Sequence, residues 1–185
     1  MSTAVEDPFY RHVPAFFGLS LEELIAVKHP DAWLRFERDE INEADFLREF
    51  FTDGRTYDHE GLRQALFQNY RWIPGMEILL SQLQQAGVSL HWVSNYPIWY
   101  REIDARLSLR TYAPWTFVSC HEGVRKPDPA VFRIVLTRTE LAAADCLFVD
   151  DQETNCAAAR RHGIDALRFT STDDLRRELE ARGVL

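Results

Sequence analysis

From residue 73 onward the apolar positions alternate between two rhythms: short β-rich runs that end on polar residues, and longer stretches with the repeat of an amphipathic helix. Pro74, suited to a first helical turn, opens a helix that stops at Gly87, and residues 88–94 follow as a strand. The unit then recurs as a helix over 97–109, a strand over 115–119, a helix over 128–138 and a strand over 146–150. In the second of these helices Asp128 is the cap and Pro129 lies in the first turn. A helix over 153–162 closed by Gly163, a strand over 166–169 and a helix over 172–182 complete the pattern, with Ser171 and Asp174 at capping-box spacing. This alternation predicts an α/β fold, a doubly wound parallel sheet of four strands with helices on both faces. Residues 8–72 read differently, with helical periodicity and no convincing strand. Ser20 and Glu23 form a capping box, and Asn42 precedes the apolar-periodic run 44–51. The expectation is a small all-helical domain over 1–72, led by a short N-terminal segment, and a Rossmann-like core over 73–185.

Composition narrows the setting. With 46% hydrophobic and 27% charged residues, the 185-residue chain can bury one sizeable core, which argues against disorder. Its apolar runs break well short of the roughly 18 residues needed to cross a bilayer, so no membrane partner is expected. The opening MSTAVEDPFY is acidic and lacks a basic cluster followed by an apolar stretch, so a cytoplasmic location is expected rather than an exported one. Cys120, Cys146 and Cys156 are odd in number and lack metal-site spacing, which reads as reduced structural thiols. Of the net charge of −8, most lies in residues 1–72, which hold 14 acids against 8 bases. Without a basic stripe a nucleic-acid partner is not expected, and any bound phosphate needs local neutralisation.

In open α/β sheets ligands bind beyond the carboxyl ends of the strands, so the chemistry is sought there. Ser94 and Asn95 end the first predicted strand, a hydroxyl and an amide suited to phosphate oxygens and equally to capping the next helix. Lys126, one of two lysines among 21 basic residues, lies in the loop before Asp128. An ammonium there neutralises a phosphate, although a solvated surface lysine is the plain alternative. Asp150 and Asp151 close the third strand with adjacent carboxylates, oxygen ligands of the kind Mg²⁺ takes. The conjunction at one sheet edge points to a receptacle for phosphate and metal. Tyr96, Trp99 and Tyr100, like Trp33, Arg35 and Phe36, read as packing residues. Cys120 and His121, as neighbours on a strand, point to opposite faces and make a poor nucleophile and base.

The series Val93-Ser94-Asn95, Arg125-Lys126-Pro127-Asp128-Pro129 and Phe148-Val149-Asp150-Asp151 through Asn155 resembles the second, third and fourth motifs of the haloacid dehalogenase (HAD) superfamily. More narrowly, Asp7-Pro8-Phe9-Tyr10, the stretch Val13 to Gly18, and Asn95 to Tyr100 are similar to plant chloroplast flavin mononucleotide (FMN) hydrolases of that superfamily. The resemblance implies a Mg²⁺-dependent phosphatase acting on a small-molecule phosphomonoester, FMN among them, through an aspartyl-phosphate. It implies that Ser94 and Asn95 contact phosphate, that Lys126 balances charge, and that Asp150 and Asp151 are catalytic and hold Mg²⁺. Asn155 would support the acidic loop, and the helices of 8–72 would be a cap that closes over substrate. It also adds the plastid stroma as an alternative location. The superfamily's first motif, an apolar strand ending in the nucleophilic aspartate, has no counterpart here: Ala4 and Val5 are too short an apolar run, and Asp7 reads as a loop residue before Pro8. An unread upstream start, a substituted nucleophile, or a catalytically inactive HAD-like binding or assembly module each accounts for this. The Asp150-Asp151 pair favours metal-dependent phosphatase chemistry over dehalogenation.

Overall fold

A computed structural model of the chain describes residues 3–185. Short as it is, the N-terminal apolar run does make a strand. β1 (Val5–Glu6) pairs antiparallel with β2 (Arg71–Trp72), Val5 opposite Trp72, and the Ala4 carbonyl accepts the Ile73 amide at 3.0 Å. Ala4 and Val5 are buried, so two residues suffice where the partner strand and the core supply the rest. Residues 8–72 therefore end in a strand that their helical periodicity did not announce.

Between these strands lie five helices: α1 (Phe9–Phe17), α2 (Leu21–Val27), α3 (Ala32–Phe36), α4 (Glu43–Arg48) and α5 (His59–Phe67). Their starts follow local chemistry. Ser20 accepts the Glu23 amide while Glu23 accepts that of Ser20, the reciprocal capping box, and Asn42 and Asp58 cap α4 and α5. α1 packs on α2 and α5, and α3 packs on α4. Aromatic rings fill the space within. Phe36 stacks on Phe46 at 4.8 Å, and Trp99 meets both edge-on at 5.3 and 5.4 Å. Trp99 is buried in this cluster and Tyr100 is buried against Trp115, in keeping with packing roles.

The remaining elements alternate as α6 (Met76–Gln85), β3 (Trp92–Ser94), α7 (Tyr100–Leu107), β4 (Trp115–Val118), α8 (Ser119–Glu122), α9 (Pro129–Thr139), β5 (Leu147–Asp150), α10 (Glu153–Arg160), β6 (Asp165–Arg168) and α11 (Thr172–Ala181). β3 is shorter than its apolar run, because the chain leaves α6 through left-handed Gly87 and the Val88 amide folds back onto the Leu83 carbonyl. Within the predicted helix over 97–109 the helix proper begins at Tyr100, and strand β4 gives way at Ser119 to the short α8. The architecture is α/β with parallel pairing, as expected, but the four strands do not form one continuous ladder. β3 pairs with β4 and β5 with β6, and β3 and β5 share no backbone ladder. One apolar cluster runs from Val5 and α1–α5 through α6 and α7 to Leu179, while a smaller one packs Phe132, Cys156 and Ile164 beside β5 and β6.

Candidate active site

The carboxyl ends of β3 and β5 face each other across the break in the sheet, and Lys126 spans it. Its ammonium donates to the Val93 carbonyl at 2.9 Å and to Asp150 Oδ2 at 2.6 Å, with both side chains buried. The loop carrying Lys126 is fixed by Asn95, whose Oδ1 accepts the Lys126 amide at 2.7 Å and whose Nδ2 donates to the Lys126 carbonyl at 2.9 Å. Lys126–Pro127 is a cis peptide. Asn155, in the first turn of α10, donates to Asp150 Oδ1 at 2.8 Å, and the Gln152 amide donates to the same oxygen at 2.9 Å. Burial alone would raise the Asp150 pKa. The Lys126 charge and these hydrogen bonds outweigh it and hold the carboxyl below its ordinary range.

Asp151 follows at the lip of a cavity of about 1010 Å³ that Asp7, Lys126, Asp150 and Asn155 also line. Its Oδ2 accepts from Gln152 Nε2 at 2.9 Å. Asp7 accepts the Phe9 amide at 2.9 Å in the loop between β1 and α1, as a residue before proline can. Desolvation within the cavity pushes its carboxyl up, and the Asp151 charge adds to that. The Ser94 hydroxyl is buried with no hydrogen-bond partner among the described residues. No three acidic, histidine or cysteine side chains converge as a metal cage among the described residues. Mg²⁺ needs less, since it keeps several waters and binds through one or two carboxylates together with substrate phosphate. Asp151, with one oxygen free of hydrogen bonds among the described residues, fits such a donor set directly, whereas Asp150, whose Oδ1 accepts two donors and whose Oδ2 accepts the Lys126 ammonium, would take part through water.

The model of the haloacid dehalogenase-like hydrolase family matches residues 11–163. The chain belongs to that family. Among curated relatives of this hydrolase is a chloroplast flavin mononucleotide hydrolase of Arabidopsis thaliana, 41% identical over 184 residues, with 100% of this chain and 75% of the relative covered. A sesquiterpene phosphatase of Aspergillus oryzae is 28% identical over 166 residues, covering 83% and 80%. A HAD family enzyme of Bacteroides thetaiotaomicron, solved as a magnesium complex, superposes with a TM-score of 0.79 at 20% identity, covering 95% of this chain and 92% of that one. The L-2-haloacid dehalogenase of Xanthobacter autotrophicus gives 0.67 at 19%, covering 100% and 81%. These structures share the fold with this HAD-like hydrolase.

The three sequence segments of the hydrolase thus meet in space, with one difference in role. Asn95, expected on phosphate, spends its amide on the Lys126 peptide, because that loop returns directly over the end of β3. Cys120 and His121 lie on α8 and not on a strand. They remain a poor nucleophile and base, for burial pushes the Cys120 thiol up to about 11 while His121 Nε2 is 3.1 Å from the Tyr100 hydroxyl. Sequence reading missed the cavity positions of Asp7, Trp33, Glu37 and Arg125. Adjacency to Lys126 was the one linear signal for Arg125, while for Trp33 and Glu37 none existed.

Proposed function

We propose that this hydrolase is a Mg²⁺-dependent phosphomonoesterase for a small phosphorylated metabolite, with FMN the first substrate to test, working through an aspartyl-phosphate. The observation that carries the reading is the buried Lys126 ammonium, 2.6 Å from Asp150 and lining a cavity of metabolite size. A buried cation beside a cavity is a ready counter-charge for a phosphoryl group, and it keeps its orientation because Asn95 clamps its backbone. The Ser94 hydroxyl, buried without a partner among the described residues, would be the donor to a phosphoryl oxygen. Asp151 and Asp150 would hold Mg²⁺, which supplies charge neutralisation at the phosphoryl oxygens, and Asn155 orients Asp150. The helices of residues 8–72 serve as the cap over the leaving group. The attacking aspartate belongs to the superfamily's first motif, which the described residues do not display, so these side chains make up the receiving half of the chemistry. A cytoplasmic location, or a plastid one like that of the Arabidopsis relative, fits a chain in which no described helix is long and apolar enough to cross a membrane.

The test is phosphate release from a panel of phosphomonoesters with and without Mg²⁺, using residues 1–185 and a chain extended by an apolar strand ending in aspartate. The extended chain is expected to release phosphate with Mg²⁺ alone, and 1–185 to show little turnover. The first-motif aspartate, which the described residues do not display, motivates a second reading, a HAD-like module that binds without chemistry. FMN bound but never hydrolysed by either chain would select it.

A further inference from the structure

We infer that Glu37 is a positioning residue that fixes Trp33 as a wall of the leaving-group chamber and ties that wall to the Lys126 loop, so that the chamber takes a planar aromatic leaving group. The inference rests on the phosphomonoesterase reading and adds the part of the site that selects the substrate.

Glu37 follows directly on α3 and is buried. Its carboxylate divides between two partners. Oε1 accepts from the Trp33 indole Nε1 at 2.6 Å, and Oε2 accepts from Arg125 Nε at 2.9 Å. Its backbone carbonyl accepts from the Ser119 hydroxyl at 2.6 Å, and that hydroxyl also receives the Tyr96 amide at 2.9 Å. One residue of the helical segment is therefore fastened to the ends of β3 and β4 and to the residue next to Lys126. Trp33, Glu37, Tyr96 and Arg125 all line the cavity that holds Lys126 and Asp151.

The energetics argue that this arrangement serves geometry. A buried carboxylate is expensive to desolvate, and an apolar contact would join the same elements at lower cost. What the carboxylate adds is direction. The indole N–H bond and edge-on contacts with Phe36, Phe46, Tyr96 and Trp99, at 6.2, 5.6, 5.5 and 6.1 Å, hold the Trp33 ring in place. The cavity lining also carries exposed apolar surface, from Tyr10 on α1 (64% exposed) and Ile25 on α2 (47% exposed), beside polar residues such as Lys28 and His29. A flat ring system such as the flavin of FMN supplies both the area and the faces.

Riboflavin, the leaving alcohol of FMN, tests this without requiring turnover. Its binding is followed by flavin fluorescence for the wild-type chain and for Trp33→Ala, Trp33→Phe, Glu37→Gln and Glu37→Leu, each checked by its thermal transition. Wild type is expected to bind. Trp33→Ala and Glu37→Leu should weaken binding about tenfold, the scale of one lost stacking face, and Trp33→Phe and Glu37→Gln by about two- to threefold. Riboflavin affinity unchanged in Trp33→Ala, or absent in the wild type up to millimolar concentration, overturns the inference. The phosphate-release panel judges the phosphatase reading separately. Hydrolysis with wild-type riboflavin affinity in Trp33→Ala removes the chamber alone, and the expected binding pattern with no hydrolysis removes the phosphatase alone.

Discussion

The paired hydrogen bonds between the Asn95 amide and the Lys126 peptide make a local clamp whose removal can be read in two ways. Asn95→Ala leaves a part-buried amide and carbonyl without protein partners, which costs about 1–3 kcal/mol. The urea midpoint should fall accordingly, and phosphate affinity should fall with it because Lys126 loses its fixed backbone. A stability change below about 0.5 kcal/mol would mean that the loop is held elsewhere. Asp151 is the contrasting case. Among the described residues its one side-chain bond is to Gln152, so Asp151→Asn should leave stability within about 0.5 kcal/mol of wild type. Mg²⁺-dependent phosphate release by the extended chain should disappear, and unchanged release would refute the metal role of Asp151.

Among the elements, helices were the readable part of the sequence because their signals are local. Ser20 with Glu23, Asn42, Asp128 and Ser171 all cap where their spacing placed them. Strand extents were not readable, since they depend on distant partners. Val5 becomes a strand because Trp72 lies opposite, and residues 88–91 stay outside a ladder although they are partly apolar. Ser94, Asp150 and Asp151 were legible as candidates from type and strand-end position, and Lys126 from its charge and its place in the loop before α9. Glu37 was not, for it lies in a charged run with Arg38, Asp39 and Glu40, and burial distinguishes it. That burial yields a prediction for α3. Desolvation raises the Glu37 pKa, the Arg125 charge and the Trp33 bond offsetting it in part. The folded state then holds its proton more tightly than the unfolded chain, whose carboxyl titrates near about 4.3. Below that pH the residue carries no ionisation penalty. As pH rises from there through the raised folded value, the wild type loses stability relative to Glu37→Gln. Urea midpoints of the pair across this window should converge or cross in favour of the glutamine variant with rising pH. A constant gap would show that the carboxylate is ionised at no cost.

At the scale of the molecule, the question is what joins two strand pairs that share no backbone ladder. Helical packing does most of it, since one apolar cluster links the helices of residues 9–67 to α6, α7 and α11. The polar contribution is Lys126, donating to Val93 on β3 and to Asp150 on β5. With side chains 7% and 4% exposed, removing either partner strands a buried charge and should cost about 3–5 kcal/mol. Replacing both with apolar residues removes the desolvation burden along with the attraction. Lys126→Met and Asp150→Leu singly should therefore lower the urea midpoint sharply, and the double variant should recover most of the loss. Phosphate and Mg²⁺ binding should be absent from all three, because the groups that would bind are gone. Such a cycle separates two reasons for a buried ion pair to exist. Recovery of stability without recovery of binding would show that the pair is maintained for ligand chemistry at the expense of the fold. If the double variant were as unstable as the singles, the pair would instead be a structural joint, and the break between β3 and β5 would depend on it.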